Sequence, residues 1–85
     1  MNRARLLARI AAGNLKNVSL GDFQDLLTGF GFVLVRRNGS HHIYRHPFAG
    51  DMVNIQDVKG EAKPYQIKQA LAIVERYRLR LEAEE

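Results

Sequence analysis

Cysteine is absent from this 85-residue chain, and so is tryptophan. Without thiols there is no disulfide framework and no thiolate zinc site. Stability must therefore come from a compact apolar core, and a 46% share of hydrophobic residues can build one. No stretch approaches the roughly 20 apolar residues of a membrane span. The start of the chain is basic and then apolar, but Arg9 interrupts the run well short of the roughly 7–15 residues of a signal-peptide core. Repeats and low-complexity segments are also missing. Acidic side chains are few and unevenly placed: of nine, Glu82, Glu84 and Glu85 fall in the last four residues, leaving the remainder to face 13 lysines and arginines. A body this basic attracts polyanions through steering and counterion release. These absences together predict a soluble, cytoplasmic chain without a membrane partner. They also predict one domain over residues 1–85, near the small end of what folds unaided.

What is present divides by period. Leu6, Leu7, Ile10 and Ala11 mark a short amphipathic helix over residues 3–12, ended by Gly13-Asn14. Ser19 is placed to cap a second helix, with Asp22 at the capping-box position, and Leu20, Phe23, Leu26, Leu27 and Phe30 form its core stripe. Gly29 and Gly31 stop it. Residues 32–37 and 41–46 then read as β-branched and apolar strands around the turn signal Asn38-Gly39, with Pro47 ending the second. Residues 52–56 make a third strand, and 57–63 a polar loop. Pro64 suits the first turn of a last helix, whose stripe is Ile67, Ala70, Leu71, Val74, Tyr77 and Leu81. The expected fold is α+β: an α-β-β-β-α core over 19–81, a helical extension over 1–18 and a fraying acidic tail over 82–85. The three-stranded antiparallel sheet packs on helices with one face and leaves the other open.

All three histidines, His41, His42 and His46, fall within six residues. Strand alternation sends His41, Ile43 and Arg45 to one face and His42, Tyr44 and His46 to the other. The hairpin register decides their company. An Asn38-Gly39 loop sets Arg36 opposite His41. A three-residue loop that includes Ser40 sets Arg37 opposite His41 and Leu34 opposite Tyr44, and this second register is preferred because it groups Arg37, His41 and Arg45 on the open face. Three histidines suggest zinc, but His42 and His46 lie roughly 13 Å apart along a strand at ~3.3 Å per residue, too far for bonds near ~2.1 Å. No metal or small-molecule cofactor is expected. Ser40 beside His41 lacks any nucleophile-elbow context. General acid–base chemistry suits the segment better: RNA carries its own nucleophile in the 2′-hydroxyl, histidine can move the proton, and arginine can stabilise the charge that builds on phosphorus. His41 is the candidate catalytic group, and Arg37 and Arg45 the phosphate ligands. Lys63, at the start of the last helix, can add a further phosphate contact, and Tyr65 can stack on a base.

Gly31-Phe32, followed by Gly39-Ser40-His41-His42-Ile43-Tyr44-Arg45-His46-Pro47, resembles the Gly-Ser-His signature of HicA (YcfA-like) toxins. Gly60-Glu61-Ala62-Lys63-Pro64 is similar to that family's Gly…Lys-Pro junction. The resemblance covers roughly Ser19 to Tyr77. It implies a double-stranded-RNA-binding-like fold and a metal-independent endoribonuclease toxin (mRNA interferase) that cuts mRNA. It also implies a HicB-like antitoxin that masks the catalytic histidine, which maps to His41, with His42 as the fallback if a bulge exchanges their roles. Ser40 and His42 join Arg37, Arg45 and Lys63 as expected RNA contacts. The chain departs from the family pattern in residues 1–18, in the polar Asn54-Ile55-Gln56-Asp57 and in Tyr65-Gln66. Two rival readings are a non-catalytic RNA-binding module of the same fold and a protein-interaction domain whose basic face serves an acidic partner.

Overall fold

The computed structural model describes residues 2–81. They run α1 (Arg3–Ala11), α2 (Leu20–Gly29), β1 (Val33–Asn38), β2 (His41–Arg45), β3 (Met52–Gln56) and α3 (Pro64–Arg76). The strands form one antiparallel sheet in the order β1-β2-β3, which is the expected α+β arrangement. The acidic stretch 82–85 lies outside the described residues.

Each helix begins and ends for a local reason. The Asn2 side chain accepts from Arg5 N–H at 3.1 Å, and Ser19 Oγ accepts from Asp22 N–H at 3.1 Å, so otherwise unpaired donors of the first turns are satisfied. All three C-termini close by the Schellman pair of reversed bonds. Gly31 and Phe32 donate to Thr28 and Leu27, Gly13 and Asn14 to Ile10 and Arg9, and Arg78 and Leu79 to Glu75 and Val74. The left-handed residue is Gly13 (φ +92°), Gly31 (φ +95°) and, in the third case, Arg78 (φ +52°). That third motif corrects the sequence expectation for the last helix. It stops at Arg76 rather than continuing through Tyr77 to Leu81, and the chain doubles back so that Leu81 packs over Gly29 of α2. The periodic apolar pattern outlasted the helix because Leu79 and Leu81 pack against the core from an irregular segment. Ile67 and Ala70 are buried as expected, joined by Gln66 and Ile73, while Leu71 and Val74 are only partly covered.

One core joins the elements. Leu6 and Ile10 of α1, Phe23, Leu26 and Leu27 of α2, and Ile67, Ala70 and Ile73 of α3 meet Tyr44, Val53 and Ile55 of the sheet. Each such Leu, Ile or Phe contributes about 1.5–3 kcal/mol by leaving water. Arg3 adds a 2.8 Å ion pair to Asp25 between α1 and α2, and its hydrogen bond holds the Asp25 carboxyl below the usual carboxylate range. The polar loop after β3 proves to be a tight hairpin. Val58 and Glu61 exchange both backbone bonds around Lys59 and Gly60, which both have positive φ, and Asp57 Oδ1 accepts from Gly60 N–H at 2.7 Å. Bonds from Leu20 to Gly60 and from Ala62 to Val18 tie this hairpin to the entrance of α2.

The β1–β2 register differs from both registers weighed from the sequence. Asn38 stands opposite His41, Arg37 opposite His42, Arg36 opposite Ile43, and Leu34 opposite Tyr44, with the pairing shifted between Leu34 and Arg36. The loop is therefore Gly39-Ser40. Gly39 has φ +61° and Ser40 does not adopt positive φ, the pattern of a type II′ hairpin turn with glycine at its first central position. Val35 is the extra residue of a β-bulge. The Leu34–Tyr44 pair holds as expected, but Arg37 falls on the face of His42, not with His41 and Arg45. Arg36 takes that place.

Candidate active site on the open sheet face

Burial separates the two faces of β2 as alternation requires. His42 and Tyr44 are buried, Ile43 is half-buried, and His41 and Arg45 are exposed. β3 repeats the pattern with Val53 and Ile55 fully covered and Met52 and Asn54 exposed. Helices cover the first face. The second presents Asn38 and Arg36 from β1, His41 and Arg45 from β2, and Asn54 and Gln56 from β3, arranged by the two registers. None of the strand residues on that face is acidic. Among the described residues, neither Arg36 nor Arg45 forms an ion pair.

The three clustered histidines have three different environments. His46 is 5% exposed. Its Nδ1 accepts from Phe48 N–H at 3.1 Å, which leaves the proton on Nε2 to donate to the Phe30 carbonyl at 2.9 Å. Its ring also meets Phe32 edge-on at 5.2 Å. It is a latch between the end of β2 and the end of α2. His42 is 6% exposed, and its Nδ1 is buried without a hydrogen-bond partner. It was expected as an RNA contact and as the fallback for His41, but its ring lies in the layer beneath the sheet, and the bulge falls on β1, where it does not exchange the two. Beside it, burial pushes the Tyr44 phenol above its ordinary pKa, so that ring is a neutral core member.

His41 alone is free at the surface. It is the first residue of β2, set there by the Gly39-Ser40 turn, and its Nδ1 lies 3.1 Å from Asn54 Oδ1 across the β2–β3 pairing. Ser40 is exposed in the loop and its carbonyl accepts from Asp57 N–H at 2.8 Å. Arg45 lies farther along the same face, lining a groove of about 330 Å³ with Val33, Val35 and Pro47. Lys63 is exposed at the N-cap of α3 and makes no side-chain cap bond. It lines a separate cavity of about 290 Å³ with Lys16, Asn17, Val58, Glu61, Ala62 and Pro64, so it belongs to the helix layer rather than to the group around His41.

An exposed imidazole on the same sheet face as two guanidinium groups without ion pairs, among strand residues none of which is acidic, can take up a polyanion and move one proton on it. Of this group, Asn54 was missed from the sequence, and Arg36 was placed on the face of His41 only by the register not preferred. Arg36 was hidden by the bulge. Asn54 was visible only as a polar residue in a strand, and no local signal says which β3 side chain reaches His41. Among the described residues no group of three or more His, Asp or Glu side chains could hold a metal ion, and no helix is long and apolar enough to cross a membrane.

A sequence model of the HicA toxin of bacterial toxin–antitoxin systems matches residues 21–75, a span from the first turn of α2 to the end of α3 that carries the whole sheet. No individual curated protein and no solved structure gives a significant match.

Proposed function

The chain belongs to the HicA toxin family of bacterial toxin–antitoxin systems, and we propose on that basis that it is an endoribonuclease of the mRNA-interferase type with His41 as its catalytic base. The supporting observation is the placement of His41: exposed at the head of β2 with one ring nitrogen engaged by Asn54 and with Arg36 and Arg45 on its face. In this reading Nε2 takes the proton of an RNA 2′-hydroxyl. The 2′-oxygen attacks the adjacent phosphorus, the bond to the 5′-oxygen breaks, and that oxygen leaves with a proton from the imidazolium or from water. The products are a 2′,3′-cyclic phosphate and a 5′-hydroxyl. The arginines stabilise the charge that accumulates on the phosphoryl oxygens, where fixed cations contribute most.

The substrate under this proposal is single-stranded mRNA in the cytoplasm. Ser40 and Lys63 remain outlying RNA contacts, and Arg37 reaches the backbone from the other side of the β1 edge. The partner is a HicB-like antitoxin that covers His41. The test is cleavage of a single-stranded RNA in EDTA by wild type and by His41→Ala protein, with the ends of the products identified. Cleavage in EDTA to cyclic phosphate ends, lost in the variant, is the expected result. Undiminished cleavage by His41→Ala removes this base from the mechanism, and a requirement for added metal removes the mechanism. Binding without cleavage, weakened steeply by salt, would instead identify a non-catalytic RNA-binding module.

A further inference from the structure

A general base must hold a lone pair on the nitrogen that faces the substrate, and a neutral imidazole has two tautomers. On an exposed strand nothing intrinsic selects between them, and the ring is free to turn about its side-chain torsions. One side chain is placed to remove both freedoms at His41. The β2–β3 register pairs Asn54 with Ile43 and Gln56 with His41, so Asn54 is the diagonal neighbour of His41 on the open face, within the reach of cross-strand side chains. Its Oδ1 meets His41 Nδ1 at 3.1 Å. Asn54 and His41 are both exposed, so the bond serves neither the core nor any buried polar group.

We propose that Asn54 is a positioning residue for His41. Its side-chain carbonyl accepts the Nδ1 proton, which fixes the ring plane and leaves the lone pair on Nε2, on the side turned away from Asn54. This inference rests on the reading of His41 as the base. The choice of amide over carboxylate fits that role. An aspartate would orient the ring as well, but it would add a negative charge where the substrate phosphate must approach and would favour the imidazolium, which is no base.

The test uses the full-length chain and reads the ring directly. Long-range ¹⁵N–¹H spectra of the free protein report the tautomer of His41, and the resonances of Val53 and Ile55 report that each variant is folded. The neutral ring in wild type is expected in the Nδ1–H form and in Asn54→Ala is expected to shift towards Nε2–H. Asn54→Asp keeps an acceptor oxygen at this position, so its neutral ring is expected to stay in the Nδ1–H form. Asn54→Ala is expected to lower the turnover rate roughly tenfold, the worth of one neutral hydrogen bond, with KM unchanged. A wild-type ring in the Nε2–H form, or a tautomer population identical in wild type and Asn54→Ala, overturns the proposal. These spectra need no RNA, so they stand apart from the fate of the catalytic reading. Undiminished cleavage by His41→Ala would sink that reading while leaving the Asn54 contact measured.

Discussion

Two glycines at equivalent places give the sharpest test of the packing argument. Gly13 and Gly31 each occupy the left-handed position of a Schellman motif, with φ of +92° and +95°. A Cβ on Gly13 would meet nothing within 4 Å, whereas one on Gly31 would lie 3.0 Å from His46 Nε2. Alanine in the left-handed region costs about 1–2 kcal/mol, partly offset by about 0.4–1 kcal/mol from the stiffer unfolded chain. Gly13→Ala should therefore destabilise by about 1 kcal/mol. At Gly31 the same backbone cost applies, and His46 must also give way. Its ring is buried and held by Phe30 at 2.9 Å and Phe48 at 3.1 Å, so moving it weakens a bond worth about 0.5–1.5 kcal/mol.

Gly31→Ala should accordingly cost about 1.5–2.5 kcal/mol, which for a domain of this size lowers Tm by roughly 6–20 °C at about 4–8 °C per kcal/mol. Urea and thermal unfolding of both variants, followed by circular dichroism, measure the difference. The His46→Ala background closes a double-mutant cycle. There the excess of Gly31→Ala over Gly13→Ala should vanish, because neighbouring residues couple only while the contact exists. Equal costs in the wild-type background, or an excess that persists without His46, would refute the latch.

Other consequences can be checked separately. Arg78 holds the left-handed position in the third Schellman motif, so Arg78→Gly should stabilise by about 1 kcal/mol and raise the urea midpoint without changing m. Asp25→Asn should cost less than about 1 kcal/mol, as befits an exposed pair. The folded-state carboxyl titrates below its ordinary value because Arg3 donates to it, so its contribution is present above the unfolded pKa of about 3.9 and disappears as the pH falls through the folded one; unfolding at pH 7 and in acid should show the difference and then its loss. In a His41→Ala background that prevents cleavage, Arg36→Ala should lower the salt slope of single-stranded RNA binding by about 0.7, and Arg37→Ala should lower it less. Deleting Val35 removes the bulge but preserves each β1–β2 pair, so the variant should fold with a loss of no more than about 2 kcal/mol, measured by urea unfolding.

The element order was legible because each element carries its own signal: the period of Leu20 to Phe30, the cap at Ser19, the stop at Gly31, the β-branched run before the Gly-Ser turn and the proline that opens α3. Alternation along a single strand was enough to separate His41 from His42 and His46. The sequence was less informative wherever two segments had to be matched to each other. The end of α3 was misplaced because apolar spacing continues into a segment that packs without being helical. Arg37 was preferred over Arg36 as the companion of His41, and Asn54 was passed over, because cross-strand neighbours depend on register, and a bulge shifts register without a sequence marker of its own.

That bulge has a physical reason, and it bears on the site. The turn at Gly39-Ser40 pairs Asn38 with His41. An unbroken ladder counted back from there would set Leu34 opposite Arg45, on the open face, and would carry Phe32 to the same side. Yet Phe32 is 2% exposed and packs on the buried His46 ring, so it must face the helices. Turn and core therefore demand opposite parities of β1, and one extra residue is the smallest change that meets both. Val35, exposed and apolar, is that residue. Below it, Phe32 and Leu34 lie on the helix side; above it, Arg36 joins the face of His41. With Val35 kept but paired in an unbroken ladder, Arg36 could share that face only if Phe32 and Leu34 left the core side. The step at Val35 thus lets one short strand serve the core at its start and the proposed phosphate site at its end.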